Sequence, residues 1–551
     1  MRRISFLVFW LCCLVPSSEG VNPGFAGRIT KKGLDYACQE GVATLQKDLP
    51  GITLPEFSGT YRVKIIGNVN YRFYSLNIRR FELFHSTIEP MPGQGLRVSV
   101  NNALAEMTGR WELKKRWLKD DGPFELKVDG ISISVGLKLG SDGTGRPAVT
   151  PLDCNTHISN VDIDISGKWE WLYNLFESKV ESAFKTVMER KLFTQKHHSE
   201  VHLAQQLPKI ANTDYPTEGT KFLDVIPMLS FLPVTANIDP TSSIDYSLVG
   251  PPVATSDCVD LDLKGEFFST AHRSPAPFPP PPLSFPVDHN RMVQFGISTY
   301  FFNTAGDVYY KAESLTFWVV DEMVPQEIKM RLNTSSFQPF IPQLKKLYPS
   351  MPMKLKISPS AAPSLSITPE TLSLTPSVDM QAFAILPNSS LAPLFLIGVL
   401  KKLYPSMPMK LKISPSSAPS LSITPETLSL IPSVDMQAFA ILPNSSLAPL
   451  FLIGVTSQVS ANVAVNSTRI FGNLKLSRLK FSLKHSDVGF FSVQLLESLI
   501  NFLTASILIP QMNARLDEGF PLPLLDQLEL SNPVLQAHQD FLVFASDVRY
   551  G

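Results

Sequence analysis

The chain is poor in cysteine for its length, with five cysteines among 551 residues. Two of them, Cys12 and Cys13, fall in an N-terminal segment that has the features of a cleavable signal. The other three, Cys38, Cys154 and Cys258, allow at most one internal disulfide. The sequence therefore excludes a disulfide-rich scaffold, and its length predicts at least two domains with cores of their own.

Long apolar runs are also missing. Residues 1–20 have the pattern of a secretory signal peptide, in which Arg2 and Arg3 precede an apolar stretch from Phe6 to Val15. This stretch is too short to span a bilayer, and no later stretch reaches about 18 uninterrupted apolar residues. We therefore predict a secreted, extracellular protein. Four glycosylation sequons fit that route, at Asn333, Asn388, Asn444 and Asn466.

The chain lacks net charge, because 49 Lys and Arg residues balance 49 Asp and Glu residues. Residues 61–119 nevertheless carry eleven basic and four acidic side chains, so this segment holds seven surplus positive charges (11 − 4) and the remainder is correspondingly negative. Positive potential concentrated in one region attracts a polyanion or an anionic membrane surface.

Motifs for catalysis and metal binding are not found. There is no nucleophile elbow, His-Glu-x-x-His motif or P-loop, so we predict that the chain is not an enzyme. The glycine-rich segment 140–145 follows a predicted strand and has no helix after it, which indicates a turn. His198 and His202 have no carboxylate or thiolate at a fitting spacing, so no metal is expected. Nucleic acid is not an expected partner of a secreted protein.

The most informative segment present is 109–119, which mixes cations with tryptophans. Alternating apolar patterns flank it at 96–100 and 124–128, so we predict that it forms the bend of an antiparallel hairpin. Cations beside indole rings suit a target with an anionic head and an apolar body, although an ordinary solvated hairpin tip is the alternative. The predicted binding residues here are Lys114, Lys115, Arg116 and Lys119, with Trp111 and Trp117 beside them.

A proline-rich segment at 274–282 divides the chain into two halves with the same order of patterns. Each half is predicted to begin with a helix, to continue with strands and to end with a long helix, which indicates an α+β fold of two similar domains. We assign residues 21–269 to the first domain, 270–290 to the linker and 291–551 to the second domain. In the second half, the first helical stretch is expected near 292–308 and the last around 495–503.

The predicted helices of the first domain are apolar over a wide face. The first is ended by Pro50 and the second follows the strand at 161–165. Such a face packs into an ordinary core, or it lines an elongated groove wide enough for acyl chains. The residues that we expect to line a groove are Leu34, Val42, Leu45, Leu172 and Phe176.

A tandem duplication lies in the second half. Residues 344–399 and 400–455 are identical at all but two of 56 positions, where Ala361 is replaced by Ser417 and Thr375 by Ile431. One copy is expected to suffice for the fold. The other must loop out or distort the second domain, and a surplus strand would have to pair at the edge of a sheet.

Several longer segments resemble the family of bactericidal permeability-increasing protein and lipopolysaccharide-binding protein, namely residues 21–24, 33–37, 74–78, 130–134, 264–267, 301–305, 518–523 and 538–542. The resemblance implies an elongated boomerang of two barrel-plus-long-helix domains joined by a central sheet. It implies a phosphatidylcholine-like phospholipid in an apolar groove of each domain, and a first-domain tip that binds lipid A of lipopolysaccharide at the Gram-negative outer membrane. It also implies secretion or storage in granules, and delivery of the cargo to a monocyte endotoxin receptor as one possible role.

The resemblance also carries residues over to this chain. The basic pair of the family's hairpin matches Lys114 and Lys115, and a second basic cluster falls at Arg62 and Lys64. The family's disulfide has its first half at Cys154, but residues 155–257 contain no partner cysteine, and the stretch 192–230 does not follow the family.

The bactericidal and the endotoxin-delivering subfamilies both stay open. A plasma carrier of phospholipid or neutral lipid is the alternative function, and a neutral cargo would not need the cationic hairpin.

Overall fold

A computed structural model of the chain describes residues 21–50, 53–54, 56–63, 67–115, 118–165, 234–286, 290–324, 331–337, 344–369, 372–394, 409–416, 420–423, 427–431, 433–441, 446–466, 469–487, 493–522 and 528–550.

The described part of the first half is nearly all strand, with one long helix near its start. Its elements are β1 (Phe25–Thr30), α1 (Lys31–Asp48), β2 (Thr53–Leu54), β3 (Phe57–Val63), β4 (Gly67–Glu82), β5 (His85–Met91), β6 (Gly95–Lys115), β7 (Leu118–Ser141), β8 (Pro147–Ile165), β9 (Thr235–Asn237), β10 (Ser242–Asp245), β11 (Val253–Ala254), β12 (Cys258–Leu263) and β13 (Glu266–Ser269).

The second half repeats this mixture. Its elements are β14 (Val293–Ser298), α2 (Thr299–Lys311), β15 (Phe317–Val320), a 3₁₀ turn (Asp321–Met323), α3 (Thr334–Phe337), α4 (Leu344–Leu347), β16 (Met353–Ile367), β17 (Leu372–Ile385), β18 (Leu391–Leu394), β19 (Met409–Pro415), β20 (Ser420–Ile423), β21 (Thr427–Ile431), β22 (Ser433–Ile441), β23 (Leu447–Thr456), β24 (Val459–Asn466), β25 (Arg469–Leu476), β26 (Lys480–Ser486), α5 (Gln494–Leu503), a π-helical turn (Thr504–Leu508), α6 (Ile509–Asp517), β27 (Phe520–Pro521), β28 (Leu528–His538) and β29 (Phe541–Tyr550).

The predicted first helix is confirmed as α1. Thr30 caps its N-terminus, because the Thr30 hydroxyl accepts a hydrogen bond from the Gly33 amide at 3.4 Å. Gly33 is needed for packing, since a Cβ there would lie 2.4 Å from the carbonyl oxygen of Met292. The helix thereby lies tightly against the chain that enters β14.

A seven-stranded antiparallel sheet forms the body of the first domain, in the order β2-β4-β6-β7-β8, with β3 also on β4 and β5 also on β6. The strands alternate between an exposed polar face and a face buried in one apolar cluster, as the sequence pattern predicts. Register shifts in β6 between Val100 and Ala105 bend the long strands, which lets the sheet curve around this cluster. The expected turn at 140–145 connects β7 to β8, where the Asp142 carboxylate accepts from the amides of Thr144 and Arg146.

A six-stranded central sheet joins the two halves. Its order is β11-β12-β1-β14-β29-β28, so strands from the start, middle and end of the chain alternate in it. The Arg28 guanidinium on β1 bonds the Asp260 carboxylate on β12 at 2.6 Å. The apolar cluster beneath contains Phe25, Phe295 and Phe544, one from each of three distant segments.

The prediction of a helix over 292–308 is wrong in its first part. Residues 293–298 form β14, which is paired on both sides by β1 and β29, and the helix α2 begins only at Thr299. Pairing with segments about 250 residues away decides this conformation, and local periodicity does not report it. The proline-rich segment has no strand or helix among its described residues and lies along this region, with the Phe278 ring 5.8 Å from that of Tyr300.

The described residues of both copies form sheets, so of the two expected outcomes for the surplus copy, looping out is wrong. Met353 pairs with Ala384 in the first copy, and Met409 pairs with Ala440 in the second, which is the same register shifted by one repeat. The first copy belongs to the sheet β15-β16-β17-β18, whereas the second is shared between β19-β22-β23-β26 and β20-β21-β24-β25-β27. By hydrogen bonding, β18 and β19 are each the outermost described strand of their sheet, but β19 also lies beside β17 of the first copy.

The long C-terminal helix of the second domain is confirmed around 495–503. It is formed by α5, the π-helical turn and α6 in succession. Asn501 and Asn513 tie it to neighbouring strands, because each side-chain amide bonds both the carbonyl and the amide of one residue, Leu479 and Leu474 respectively. Across the described residues, no helix combines the length and the apolar character needed to span a bilayer.

Candidate functional site

Two hairpin tips lie side by side at one end of the first-domain sheet. Val63 pairs with Gly67 at the end of the β3–β4 hairpin, and Lys115 pairs with Leu118 at the end of the β6–β7 hairpin. The pairing of Asn70 with Lys114 places the two hairpins on adjacent strands. They also approach through side chains, since a Cβ at Gly67 would lie 3.1 Å from Nζ of Lys115. The predicted hairpin bend at 109–119 is therefore confirmed, and a second bend adjoins it.

The outer face of this sheet end carries a row of charged side chains. Lys114 and Lys119 face each other across β6 and β7, with 58% and 67% of their side chains exposed. Arg62 lies on the neighbouring hairpin, where it pairs with Asn68 and is exposed. These three predicted residues are thus brought to one end of the sheet. Their ammonium and guanidinium groups point to solvent from rigid strands.

Glu112 sits among these cations, and the sequence analysis did not single it out. Its carboxylate lies 2.7 Å from Nζ of Lys114 and 4.0 Å from Nζ of Lys119. The hydrogen bond from Lys114 is the main cause of a lowered Glu112 pKa, and Lys119 and Arg72 add to it. The sequence signal was available, because Glu112 lies two residues from Lys114 on the same face of a strand.

The prediction that Trp111 lies beside the exposed cations is wrong. Trp111 is 3% exposed and belongs to the buried apolar cluster with Phe73, Leu113 and Phe124. Side chains alternate along β6, and Trp111 and Leu113 occupy the inner face while Glu112 and Lys114 occupy the outer one. The indole therefore stabilises the sheet beneath the cations instead of standing beside them.

Three other residues predicted for this site, Lys64, Arg116 and Trp117, lie outside the described residues. The same holds for Leu172 and Phe176 of the expected groove and for the sequon asparagine Asn444. Asn388 is exposed in a turn, and Asn466 ends β24. The Asn333 side chain is partly buried and accepts from the Ser336 amide at 2.8 Å.

The remaining groove residues divide between two cores. Leu45 is buried against the first-domain sheet with Val42 packed beside it, whereas Leu34 joins the cluster under the central sheet. Thus α1 contributes one apolar face to both cores. The binding of a lipid along this face stays a prediction.

The three cysteines outside the signal segment are all free thiols. Cys38 and Cys258 are buried and Cys154 is half-buried. Cys154 therefore has no disulfide partner among the described residues, as the missing cysteine of the 155–257 segment implies. Among those same residues there is no group of His, Cys, Asp or Glu that could hold a metal ion.

Two domain-wide family models match this chain. The N-terminal domain of the LBP / BPI / CETP family matches residues 33–194. The C-terminal domain of the same family matches twice, over residues 236–403 and 396–550, and the two matches meet where the duplicated copies join. The chain belongs to the LBP / BPI / CETP family.

Individual relatives match this chain over nearly its full length. The chain is 38% identical to lipopolysaccharide-binding protein of Homo sapiens over 546 residues, covering 99% of this chain and 98% of that protein. It is 35% identical to bactericidal permeability-increasing protein of Rattus norvegicus over 549 residues, covering 100% and 98%. A crystal structure of lipopolysaccharide binding protein superposes with a TM-score of 0.63 at 34% identity, over 96% of this chain and 100% of that one. The fold is accordingly the two-domain fold of that family.

Proposed function

We propose that the chain binds the lipid A portion of Gram-negative bacterial lipopolysaccharide through its two adjacent hairpin tips, as a secreted protein of innate immunity. The observation that carries the proposal is the meeting of the tips, which gathers Arg62, Lys114, Lys115 and Lys119 at one sheet end. The relatives named for lipopolysaccharide binding and for bactericidal activity support this target.

The chemistry of the tip fits a phosphorylated amphiphile. Exposed ammonium and guanidinium groups make charge-assisted hydrogen bonds to phosphate, each worth ~1.5–3 kcal/mol before solvent screening. Directly beneath them lies the apolar cluster of Val69, Phe73, Trp111 and Leu113. Phosphates at the cationic row and acyl chains toward apolar surface would satisfy both parts of the ligand. A neutral lipid cargo would leave the cations without a role.

The remaining parts of the proposal concern cargo and setting. We propose a phosphatidylcholine-like phospholipid in an apolar groove of each domain, with the face of α1 around Val42 as one wall. We propose action at the Gram-negative outer membrane surface outside the cell, without enzymatic chemistry. The outcome would be killing of the bacterium, neutralisation of endotoxin, or its delivery to a monocyte receptor. Organic extraction of the purified protein should release about two phospholipids per chain, one for each groove.

The tip is tested by the double variant Lys114→Glu, Lys115→Glu. Reversing two cations removes phosphate contacts and adds repulsion, so we expect the affinity for lipopolysaccharide to fall about 100-fold. Binding would be measured by surface plasmon resonance on immobilised lipopolysaccharide, and the thermal melt should stay unchanged.

The matched control is Lys127→Glu, Lys138→Glu, which makes the same charge change on β7 at positions away from the tip. Both control lysines are exposed strand residues. The control should bind as the parent does. Equal losses in the two double variants would show a general charge effect, and no loss in the tip variant would refute the proposal.

Removing the internal counter-charge should act in the opposite direction. Glu112→Gln frees Lys114 and Lys119 from their carboxylate, so binding should tighten by about two- to fivefold, the range of an exposed ion pair. Because the Glu112 pKa is lowered, the parent keeps this negative charge well into the acid range. The advantage of the variant should persist from neutral pH downward and vanish once pH falls through the Glu112 pKa, as the parent then becomes neutral there. Affinities of both proteins over a pH series would check the sign.

A further inference from the structure

The second domain exposes a tryptophan between lysines, far from the hairpin tips in sequence. Trp318 on β15 pairs with Lys356 on β16, and Val320 pairs with Lys354. On the other side, Lys354 pairs with Phe383 of β17. Alternation puts these five side chains on the outer face of the sheet, while Val319, Leu355 and Ala382 fill the core. We call this outer face the Trp318 patch.

The side chains of the Trp318 patch contact each other closely. Nζ of Lys354 lies 4.5 Å and Nζ of Lys356 lies 6.0 Å from the centre of the indole ring. The Phe383 ring packs 5.5 Å from the same indole. The indole remains 38% exposed despite these neighbours. The contacts hold the two ammonium groups over an aromatic face, where they keep donors for an incoming anion.

The two lysines of the patch have no acidic partner among the described side chains, although Glu322 is exposed in the turn after β15. Both lysines make cation–π contacts, and neither is in an ion pair with a described carboxylate. This differs from the first-domain tip, where Glu112 lies 2.7 Å from Lys114. Two uncompensated cations on an aromatic surface give the patch electrostatic complementarity to an anionic partner.

Apolar side chains continue from the patch at the same end of the sheet. Because β15 and β16 are antiparallel, the turn after β15 and the segment before β16 lie at the same end of the sheet. Met323 in the turn is 45% exposed and Leu347 in α4 is 63% exposed, with Lys346 exposed beside it. Exposed Leu, Met and Trp flanked by lysines match the requirements of a membrane interface, where apolar tips enter the acyl boundary and ammonium groups meet phosphates.

We propose that the Trp318 patch docks the second domain onto an anionic phospholipid surface. The partner is a lipid bilayer with phosphate headgroups, since headgroup anions satisfy the lysines while Trp318, Met323 and Leu347 reach the acyl boundary. The protein thereby has a second lipid-facing surface that does not depend on the first-domain tip. Its docking would be held by charge and by the indole together.

The duplication supplies a control within the same chain. Lys410, Lys412 and Phe439 repeat Lys354, Lys356 and Phe383, and Lys410 pairs with Phe439 just as Lys354 pairs with Phe383. However, β19 is outermost in its described hydrogen-bonded sheet and lies beside β17, a strand that contains no tryptophan. The two lysine pairs therefore have the same local sequence, and only the first lies on a strand paired with a tryptophan-bearing one.

The test uses the full chain with its hairpin tip disabled by Lys114→Glu, Lys115→Glu. Binding is measured by flotation with vesicles of equal parts phosphatidylcholine and phosphatidylglycerol. Adding Lys354→Glu, Lys356→Glu should weaken binding about thirtyfold, the loss expected for two lysines near an anionic surface. Adding Lys410→Glu, Lys412→Glu should change it by less than about threefold.

Further arms separate the indole from the charges. Trp318→Ala should weaken binding about tenfold while the two lysines remain, and pure phosphatidylcholine vesicles should show little effect of the lysine pair. Thermal melts check that every variant is folded. If charge reversal disturbs the sheet, the double variant Lys354→Ala, Lys356→Ala replaces the glutamate variant. Equal losses from both lysine pairs, or no loss from the first, would overturn the proposal. So would a change in oligomeric state by light scattering without a change in vesicle binding, since the face would then contact protein. Lipopolysaccharide binding with an intact tip should be unaffected by the Lys354 and Lys356 changes, so the two functions are distinguishable.

Discussion

The two copies of the repeated segment differ at two positions in 56 and yet occupy different surroundings. In the first copy, Met353–Ile367 is one continuous strand that pairs with β15 on one side and β17 on the other. In the second copy, the described parts of the equivalent segment are β19 and β20, with 417–419 outside the described residues, and β19 pairs with β22 and lies beside β17. The hairpin register is the same in both. Local sequence therefore sets how a strand pairs with its own hairpin partner, and the neighbours set which sheet the hairpin joins.

The neighbours are different for identifiable reasons. Asn303 on α2 bonds both the amide and the carbonyl of Leu365, which anchors the far end of β16 near the central sheet. The second copy instead meets later strands, with β23 on β26 and β21 on β24. Each copy also has its own buried cluster, and α5 packs on that of the first copy.

Cavities in the two buried clusters are expected to have the largest effect on the stability of the second domain. Leu355 of the first copy is 1% exposed and Ile453 of the second is 0% exposed. Truncation of either to alanine should reduce the free energy of unfolding of the second domain by ~2–5 kcal/mol. Calorimetry would measure it, with Leu447→Ala as the control because Leu447 is 44% exposed. A melt unchanged by Ile453→Ala would mean that the second copy lies outside the cooperative core.

Deletion of residues 400–455 tests whether a single copy can pair with the neighbouring strands of both copies. The remaining hairpin would meet β15 on one side and β26 on the other, which merges two small clusters, removes β19 and gives β18 a neighbour on its open side. We expect the melting temperature to rise by about 2–4 °C for each kcal/mol gained, with lipopolysaccharide binding unchanged.

Deletion of residues 344–399 should behave alike, because the two products differ only by Ala361/Ser417 and Thr375/Ile431. This second deletion is the matched control for the first. Loss of the second-domain transition in either product would mean that the duplication has become a structural requirement.

A smaller effect on stability is expected from an ion pair in the second copy. In the second copy, Asp435 lies 2.6 Å from Nζ of Lys484 on β26, a strand that the first copy does not pair with among the described residues. Because the pair is partly exposed, Asp435→Asn should cost ~0.2–1 kcal/mol. A double-mutant cycle with Lys484→Gln in urea denaturation measures the coupling, and an additive result would contradict the pairing.

The smallest effect concerns the sequence difference itself. Ala361 is exposed at a register shift of the β16–β17 pair. Ala361→Ser makes the first copy identical to the second at this position, and it should change stability by no more than ~0.5 kcal/mol. A larger change in the thermal melt would show that this one residue helps to set how the β16–β17 hairpin packs.

Much of the fold is predictable from sequence where period and partner are local. The face of α1, the β6–β7 hairpin and the turn after β7 all follow from alternation or helical spacing in neighbouring residues. Strand β14 does not, because its partners β1 and β29 are remote. The prediction for Trp111 failed for a different reason. It relied on the residue type and ignored the position of Trp111 on the inner face of β6. Glu112 was missed although it lies two residues from Lys114 on the same face of β6, whereas the Trp318 patch is defined only by cross-strand neighbours.

The position of the final strand has a consequence for synthesis. Strand β14 is complete at residue 298, but its partner β29 spans Phe541–Tyr550. At 5–20 residues per second, an apolar strand edge waits roughly ten to fifty seconds for its neighbour during translation. Each extra block of 56 residues lengthens that interval by several seconds. During that interval the unpaired edge of β14 is open to pairing with other chains.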